Sequence, residues 1–134
     1  MTDRYKQQGA FSWNELMTAD VEAAKQFYTK LLGWTTADMQ IEGQLEGMTY
    51  TVVKAGGEEV GGIMPLPLQA QGTPPNWGAY VTVDDVDTTA KLAQELGAKT
   101  IVPLTDIPNV GRFYMFQDPQ GAVLSVITYV EKVK

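Results

Sequence analysis

This chain repeats itself, and the repeat limits the folds open to it. Asp20-Val21-Glu22 opens a helical stretch that ends at Leu32-Gly33, and Asp85-Val86-Asp87 opens another that ends at Leu96-Gly97. The offset is 65 residues at the start (20 to 85) and 64 at the end (33 to 97). Because a half of this size cannot easily bury its own apolar face, the halves should pack together and leave a site between them.

A second pair of segments, 50–63 and 114–127, matches at an offset of 64 residues. The matched pairs are Tyr50 with Tyr114, Gly57 with Gly121, Val60 with Leu124 and Ile63 with Ile127. The match predicts that Tyr50 and Tyr114 are symmetry mates and that one of the two lines the site. The sequence alone leaves open which one.

The sequence predicts the same order of elements in each half: a strand, a helix and then three strands. An apolar–polar alternation over 11–18 predicts the first strand, and Asp20 and Gly33 suit the two ends of a helix over 21–32. The other strands of the first half are predicted at 34–41, 48–55 and 59–65, with a hairpin turn at 56–58. The second half predicts strands at 77–83, 100–103, 112–117 and 122–130, a helix from Asp85 to Leu96, a loop over 104–111 and a turn over 118–121. Residues 1–10 are predicted to be a mobile tail or a short lead-in, and the proline-rich residues 66–76 a linker between the halves.

Composition excludes several classes of protein. The 134 residues are enough for one domain with a real core, and no apolar run approaches the ~20 residues that span a bilayer. There is no cysteine, so disulfides and thiol chemistry are excluded. The start of the chain is polar, without a signal-peptide core, and a cytoplasmic location is therefore expected.

The formal charge of −6 argues against nucleic acid as a partner. The absence of histidine removes the usual general base and the commonest metal ligand.

Several short motifs occur in order in both halves. They are Asp20 with Phe27-Tyr28 and Leu32-Gly33-Trp34, then Asp84-Asp85-Val86-Asp87, Leu96-Gly97-Ala98 and Phe116-Gln117-Asp118-Pro119-Gln120-Gly121. With these motifs the chain resembles the vicinal oxygen chelate superfamily over roughly residues 11–130. That group holds glyoxalase I, extradiol dioxygenases, fosfomycin-resistance enzymes and bleomycin-binding proteins. The segments 11–16 and 61–64 look like a glyoxalase-like subgroup described as a "predicted lyase".

The resemblance implies an α+β fold in a single glyoxalase-like domain over residues 1–134. Two βαβββ modules in tandem, about 11–65 and about 77–130, would form a curved mixed sheet around a cleft. Dimers are common in the superfamily, so a homodimer is expected. The expected ligand is a small molecule, with no nucleic acid and no membrane as partner.

The resemblance also gives the positions where metal-using members carry His, Gln or Glu ligands. One lies seven residues before the Asp that caps the first helix, which is Trp13 here, and its repeat partner is Gly78. Another lies seven residues after the Asp of the Asp-Pro-x-Gly turn, which is Ser125, and the offset of 64 gives Gly61 as its partner. None of the four is a competent ligand for Zn²⁺, Ni²⁺, Fe²⁺ or Mn²⁺. The resemblance therefore implies a site without a metal ion or another cofactor.

The residues at these positions suggest what replaces the metal. Gly61, Gly78 and Ser125 clear space at the centre of the cleft, and Trp13 partly refills it. This pattern suits a flat or hydrophobic organic ligand stacked on Trp13. The alternative is that Trp13 only plugs a dead site by packing against the glycines.

Four further residues are candidates for the site. Glu15 shares the strand parity of Trp13, and a carboxylate on an apolar face would have a raised pKa and could act as an acid or base, unless it only pairs with a rim cation. Tyr80 could bind the ligand, bond to Glu15 or fill the core. Arg112 could clamp a carboxylate or phosphate or simply be solvated, and Tyr114 could line the cleft.

Three functions are compatible with the sequence. The first is a metal-free module that binds a small aromatic or amphipathic molecule. The second is a metal-independent lyase or isomerase with Glu15 and Tyr80 as its acid/base pair. The third is a non-catalytic structural or regulatory subunit, which would have no pocket.

Overall fold

The computed structural model describes residues 3–40, 49–66, 72–108 and 110–130. Within these ranges the chain forms eight strands and two helices in the order that the sequence predicts. In chain order they are β1 (Phe11–Thr18), α1 (Val21–Leu32), β2 (Thr35–Gln40), β3 (Thr49–Ala55), β4 (Glu58–Pro65), β5 (Asn76–Thr82), α2 (Val86–Glu95), β6 (Lys99–Ile107), β7 (Gly111–Gln117) and β8 (Val123–Tyr129).

The chain divides into two compact units. The first unit is Trp13–Gly78, and the second unit holds the described residues up to Ser12 and from Ala79 onward. The four strands of the first repeat lie in the order β2-β3-β4-β1, and those of the second repeat lie in the order β5-β8-β7-β6. β1 pairs with β4 in parallel and β5 with β8 in parallel, whereas the hairpin strands of each set are antiparallel. This common topology confirms the predicted α+β fold with two βαβββ repeats.

Helix α1 lies where its end signals predict it. The Asp20 side chain accepts a hydrogen bond from the Ala23 N–H at 3.0 Å, and Gly33 ends the helix in the left-handed region at φ +72°. Below the helix, Leu16, Val53 and Ile63 are buried. The helix covers them with its apolar stripe, to which Val21, Ala24 and Tyr28 belong.

Helix α2 covers the second unit in the same way. Asp85 caps it by accepting from the N–H groups of Asp87 and Thr88. The core beneath it consists of Val83, Val86, Ala90, Tyr114 and Val126. In each repeat one face of the strands is therefore covered by the helix of that repeat, and the opposite face is called the helix-distal face below.

Residues 3–10 form an ordered lead-in, so the alternative of a mobile tail is wrong for the described residues. The Gly9 N–H donates to the Thr82 carbonyl, and the Thr82 N–H donates to the Ala10 carbonyl, both at 2.8 Å. The Thr82 hydroxyl also donates to the Arg4 carbonyl at 2.6 Å. These bonds tie the segment to β5 of the second unit.

The predicted loop over 104–111 is wrong for five of its eight residues, because β6 continues to Ile107 and β7 begins at Gly111. Pro103 made the sequence look like a strand end. β6 is the last strand in its set, and proline is tolerated in such an edge strand because no ladder partner needs its missing N–H. The pairing with β7 absorbs Pro103 through register shifts between Val102 and Thr105.

The predicted linker lies only partly within the described residues. Residues 67–71 fall outside them, Pro74 and Pro75 are in neither helix nor strand, and Asn76 already belongs to β5. Of the residues described, no helix is long and apolar enough to cross a membrane.

An ion pair of the first unit, Asp38 with Lys25, gives a test of how the stability of the fold depends on pH. Asp38 accepts from the Thr51 hydroxyl at 2.8 Å and from Lys25 Nζ at 3.2 Å, and these bonds hold the pKa of Asp38 below its usual value. A lowered pKa means that the ionised form stabilises the fold at neutral pH, and that this contribution is lost as the pH falls through the carboxyl range. In Asp38→Asn the free energy of unfolding should therefore fall less on acidification than in the wild type, by about 0.2–1 kcal/mol. The difference is small because the pair is half-exposed.

Urea unfolding between pH 7 and pH 3 measures this difference. The exposed Glu58 offers a control in Glu58→Gln, for which we expect the wild-type pH profile. Parallel profiles for the wild type and Asp38→Asn would contradict the prediction.

Candidate functional site

The strand register decides which side chains share a face. Leu16 and Ile63 pair across β1 and β4, and both pack toward α1. Because side chains alternate along a strand, Trp13, Glu15 and Gly62 face the other way. These three residues therefore lie on the helix-distal face of the first unit.

Trp13 is held on this face by Tyr50. The indole Nε1–H of Trp13, which is partly buried, donates to the hydroxyl of Tyr50 at 2.8 Å. The side chain of Tyr50 lies over Gly62, where a Cβ would overlap the hydroxyl and the ring carbons of Tyr50. Gly62 is therefore a glycine because Tyr50 occupies the space above it.

Gly61 does not lie where the sequence predicts it. A Cβ on Gly61 would lie 2.6 Å from the backbone oxygen of Asn14, on the side of the sheet that faces α1. The position on the helix-distal face is Gly62, which pairs with Glu15. The prediction of Gly61 as a ligand-side residue is wrong by one residue, and one residue reverses the face.

The cause is a wrong offset in the second matched segment. In the second unit Tyr80 pairs with Ser125, as Glu15 pairs with Gly62 in the first. The structural offset is therefore 65 residues on the first strands (80 − 15) and 63 on the last strands (125 − 62). The two hairpins have turns of different length, so their glycines, Gly57 and Gly121, are not equivalent.

The corrected offset changes the partner of Tyr50. Val52 pairs with Gly62, and Met115 pairs with Ser125. An offset of 63 from Tyr50 leads to Phe113 (50 + 63), not to Tyr114. Tyr50 and Phe113 are therefore the symmetry mates, and both lie on helix-distal faces.

Tyr114 belongs to the core of the second unit. Its side chain is 1% exposed beneath α2, and its hydroxyl shares a hydrogen bond of 2.6 Å with Thr100 Oγ1. Such a side chain has no surface to offer a ligand. The prediction that Tyr114 lines the ligand site is corrected by this burial.

Tyr80 and Ser125 lie together on the helix-distal face of the second unit. Val81 and Val126 next to them pack toward α2, so alternation turns Tyr80 and Ser125 to the opposite side. The ring of Tyr80 meets that of Phe113 edge to face, with centroids 6.0 Å apart. Both Tyr80 and Ser125 are buried.

Glu15 and Gly78 belong to the first unit. The Glu15 side chain is 4% exposed, so it is not a solvated strand-end carboxylate. A Cβ on Gly78 would have the backbone oxygen of Glu15 as its nearest neighbour at 4.0 Å, which leaves room for a methyl group. The available space therefore requires a glycine at position 62 but not at position 78.

Arg112 is engaged by acids of its own unit. Its Nε donates to Asp87 Oδ1 at 2.8 Å and a terminal nitrogen donates to Asp106 Oδ1 at 3.1 Å, and these bonds raise the pKa of Arg112. The surface depression that it lines, of about 470 Å³, also carries Asp84 and Asp85. Because an anionic ligand would meet four carboxylates there, the geometry disfavours Arg112 as a clamp for carboxylate or phosphate.

The residues at the expected metal positions do not fit a transition metal. After the correction of Gly61 to Gly62, they supply an indole, two glycines and one serine hydroxyl. Zn²⁺ and the related ions need imidazole, thiolate or carboxylate donors. Among the described residues, no group of three or more such side chains could hold a metal ion.

Comparison with known proteins gives a consistent family. The model of the Glyoxalase/Bleomycin resistance protein/Dioxygenase superfamily matches residues 10–126. The chain is 44% identical over 119 residues to a Mycobacterium tuberculosis protein named "Putative glyoxylase CFP32". It is 29% identical over 130 residues to the anthracycline biosynthesis protein DnrV of Streptomyces peucetius. These matches cover 89% and 88% of this chain but 44% and 46% of the relatives, so the chain spans less than half their length.

Solved structures share the fold at low identity. Methylmalonyl-CoA epimerase from Mycobacterium tuberculosis superposes with a TM-score of 0.59 at 16% identity, over 89% of this chain and 86% of that one. Protein BH1468 from Bacillus halodurans reaches 0.66 at 11% identity, over 96% and 99%. At such identities the likeness supports the fold alone.

The two glycines of the helix-distal face give a matched pair of variants. Gly62→Ala should destabilise the protein by about 1–3 kcal/mol, because the new Cβ would collide with Tyr50 and break its bond to Trp13. Gly78→Ala should change stability by less than about 0.5 kcal/mol, because the methyl group has room. Urea unfolding gives both values, and equal losses in the two variants would show that Tyr50 does not occupy the space above Gly62.

Proposed function

This chain belongs to the Glyoxalase/Bleomycin resistance protein/Dioxygenase superfamily, and from that premise we propose that it binds a small aromatic or amphipathic molecule without a metal ion. The ligand stacks on Trp13 on the helix-distal face of the first unit. The observation that carries the proposal is the hydrogen bond from Trp13 Nε1 to Tyr50, because it fixes the plane of a partly exposed indole.

A fixed indole suits a flat ligand for two reasons. Its π-face offers a large apolar contact area, and offset stacking of aromatic rings adds about 0.5–1.5 kcal/mol beyond the area buried. Because Tyr50 already restricts the ring, less conformational freedom is lost when a ligand binds.

The names of the relatives support two classes of ligand. DnrV is named for anthracycline biosynthesis, and anthracyclines are planar fused-ring molecules. CFP32 is named as a glyoxylase, a name for enzymes that act on small carbonyl compounds. The flat, partly exposed ring of Trp13 favours the first class for this chain.

A metal-independent lyase or isomerase is the second candidate. The observation in its favour is the burial of Glu15 on the face that carries Trp13, since a carboxylate withdrawn from water suits a general acid or base. Glu15 would carry the proton transfer in this case. In such an enzyme Glu15→Gln would abolish exchange of an acidic ligand C–H with D₂O, as followed by NMR, but would leave ligand affinity intact. Equal exchange in the variant would exclude this role.

A homodimer is also part of the proposal. The surface of the first unit exposes Phe27 by 58%, Leu31 by 62% and Trp77 by 41%. The rings of Phe27 and Trp77 both contact Tyr28, so these three aromatic side chains form a connected patch. Leu31 follows Phe27 by four residues on α1, which places it on the same side of the helix. Such a patch is typical of a surface that another protein covers.

Native mass spectrometry of untagged protein purified without chelator tests the metal-free and the dimeric parts together. We expect twice the mass of the 14.7 kDa chain with no metal adduct. A near-stoichiometric transition metal would overturn the metal-free proposal, and a monomer at micromolar concentration would overturn the dimer.

Binding to Trp13 is tested by calorimetry with daunorubicin, an anthracycline, at 150 mM salt. Trp13→Ala should weaken binding at least about tenfold, because it removes the stacking surface. Trp13→Phe keeps a ring and should lose only a few-fold in affinity. Trp77→Ala is the matched control for the loss of an indole outside the proposed site, and native mass spectrometry shows whether this variant keeps the oligomeric state of the wild type, since Trp77 belongs to the apolar patch.

The fold of each variant is checked by circular dichroism. Saturable binding that is unchanged in Trp13→Ala would move the site elsewhere. Equal losses in Trp13→Ala and Trp77→Ala would mean that the drug binds to exposed apolar surface in general.

A further inference from the structure

We infer that the ligand of the proposed site is an extended molecule with at least three linearly fused rings, and that Met39 selects for this length. The inference rests on the proposed binding function and deepens it by naming the size class of the ligand. Its evidence is a row of exposed apolar side chains on the helix-distal face of the first unit. This row, called the apolar strip below, consists of Trp13, Tyr50 and Met39.

Met39 lies on the same face as the other two residues of the apolar strip. Its neighbour on β2, Asp38, accepts hydrogen bonds from Lys25 of α1. Alternation along the strand therefore turns the side chain of Met39 away from α1. Met39 is also the pairing partner of Tyr50 across β2 and β3. Because the Cβ atoms of directly opposite residues are only about 5 Å apart, the two side chains are neighbours.

The apolar strip crosses the first repeat from β2 to β1. Tyr50 lies on β3, and its side chain covers Gly62 of β4 and reaches Trp13 on β1. Neighbouring strands are about 4.8 Å apart, so three such spacings give the apolar strip a length of about 14 Å. A ligand that covers all of it must therefore be long.

The apolar strip is also narrow at its centre. Met39 is 49% exposed, and Tyr50 and Trp13 are partly exposed. By contrast, the next apolar side chains of this face on β3 and β4 are buried, with Val52 5% exposed and Met64 8%. The accessible apolar surface at the centre is thus one side chain wide, which suits a row of fused rings better than a compact molecule.

The second repeat has no comparable strip among its described residues. Phe113 is the equivalent of Tyr50, and it pairs with Thr105 as Tyr50 pairs with Met39. Both Phe113 and Thr105 are buried, and Gly78 stands where the first repeat has its indole. The exposed strip is therefore a property of the first repeat and not a consequence of the repeated fold.

The size of the indole determines how long the ligand must be. An indole has two fused rings, so Trp13 alone can cover a bicyclic ligand. Further rings in the same line extend over Tyr50 toward Met39. A methionine side chain is flexible, and its sulfur interacts favourably with the edge of an aromatic ring. Met39 thus suits the far end of a long ligand and has no contact with a short one.

The test compares N-methylquinolinium, which has two rings, with N-methylacridinium, which has three, by isothermal titration calorimetry. Both probes carry one positive charge and no hydrogen-bond donor, so the charge of the protein acts on both alike. We expect the wild type to bind N-methylacridinium at least about fivefold more tightly. Met39→Ala should weaken its binding about three- to tenfold and that of N-methylquinolinium less than about twofold, since only the longer probe contacts Met39.

Two further variants are controls for this comparison. Met39→Leu keeps an apolar side chain of similar size and should retain most of the affinity for N-methylacridinium. Leu92→Ala removes an exposed apolar side chain from α2 of the second unit and should leave both affinities unchanged. Equal losses in Leu92→Ala and Met39→Ala would overturn the inference, because they would mean that the probe binds to exposed apolar surface in general.

The methionine methyl groups give a readout that is independent of affinity. In protein labelled with ¹³C at these methyl groups, the resonance of Met39 is assigned with Met39→Leu. Saturation with N-methylacridinium should shift this resonance through the ring current of the probe, and N-methylquinolinium should shift it far less. An unshifted Met39 resonance in the saturated acridinium complex would contradict the contact on which the inference stands.

The titration separates the inference from the proposed function. Saturable binding that is lost in Trp13→Ala but unchanged in Met39→Ala would overturn the role of Met39 and leave the binding function standing. No saturable binding of either probe to the wild type would overturn both.

Discussion

The parallel pairing of the first and last strand of each repeat determines what every other residue can do. Glu15 opposite Gly62 and Tyr80 opposite Ser125 set the faces of both pairs of strands. Because side chains alternate with a period of two, one pairing assigns all positions along the strand to the helix side or the helix-distal side. Helix packing then uses one face, which leaves the other for chemistry.

Local signals made the helices and most strands predictable. Asp20, Asp85 and Gly33 specify helix ends through bonds to residues within four positions, so no distant contact is needed to recognise them. β6 was too short in the prediction because Pro103 is unfavourable inside a strand and acceptable only at a sheet edge. The edge position is set by pairing between distant segments, which local sequence does not reveal.

The site was predictable in composition but not in arrangement. The lack of metal-ligating groups at Trp13, Gly78 and Ser125 could be predicted from the residue types alone. The face of Gly61 could not, because an identity match between turn glycines shifted the repeat by one residue. The Gly61-Gly62 pair was the available signal: glycines inside a strand often mark a close approach of another group. The structure shows two such approaches, Asn14 at Gly61 and Tyr50 at Gly62.

The contact between Trp13 and Tyr50 joins the fold to the proposed function. In an open cleft an indole would sample several rotamers, and a ligand would have to order it at a cost of about 0.5–1.5 kcal/mol. Here the ordering is done during folding, by a tyrosine that needs Gly62 to reach its partner. The glycine weakens its own strand, since it has no side chain to pack and more freedom in the unfolded chain. The packing of the Tyr50 ring over Gly62 and its hydrogen bond to Trp13 work against that loss, and the same two contacts order the indole that the proposed function uses as a stacking surface.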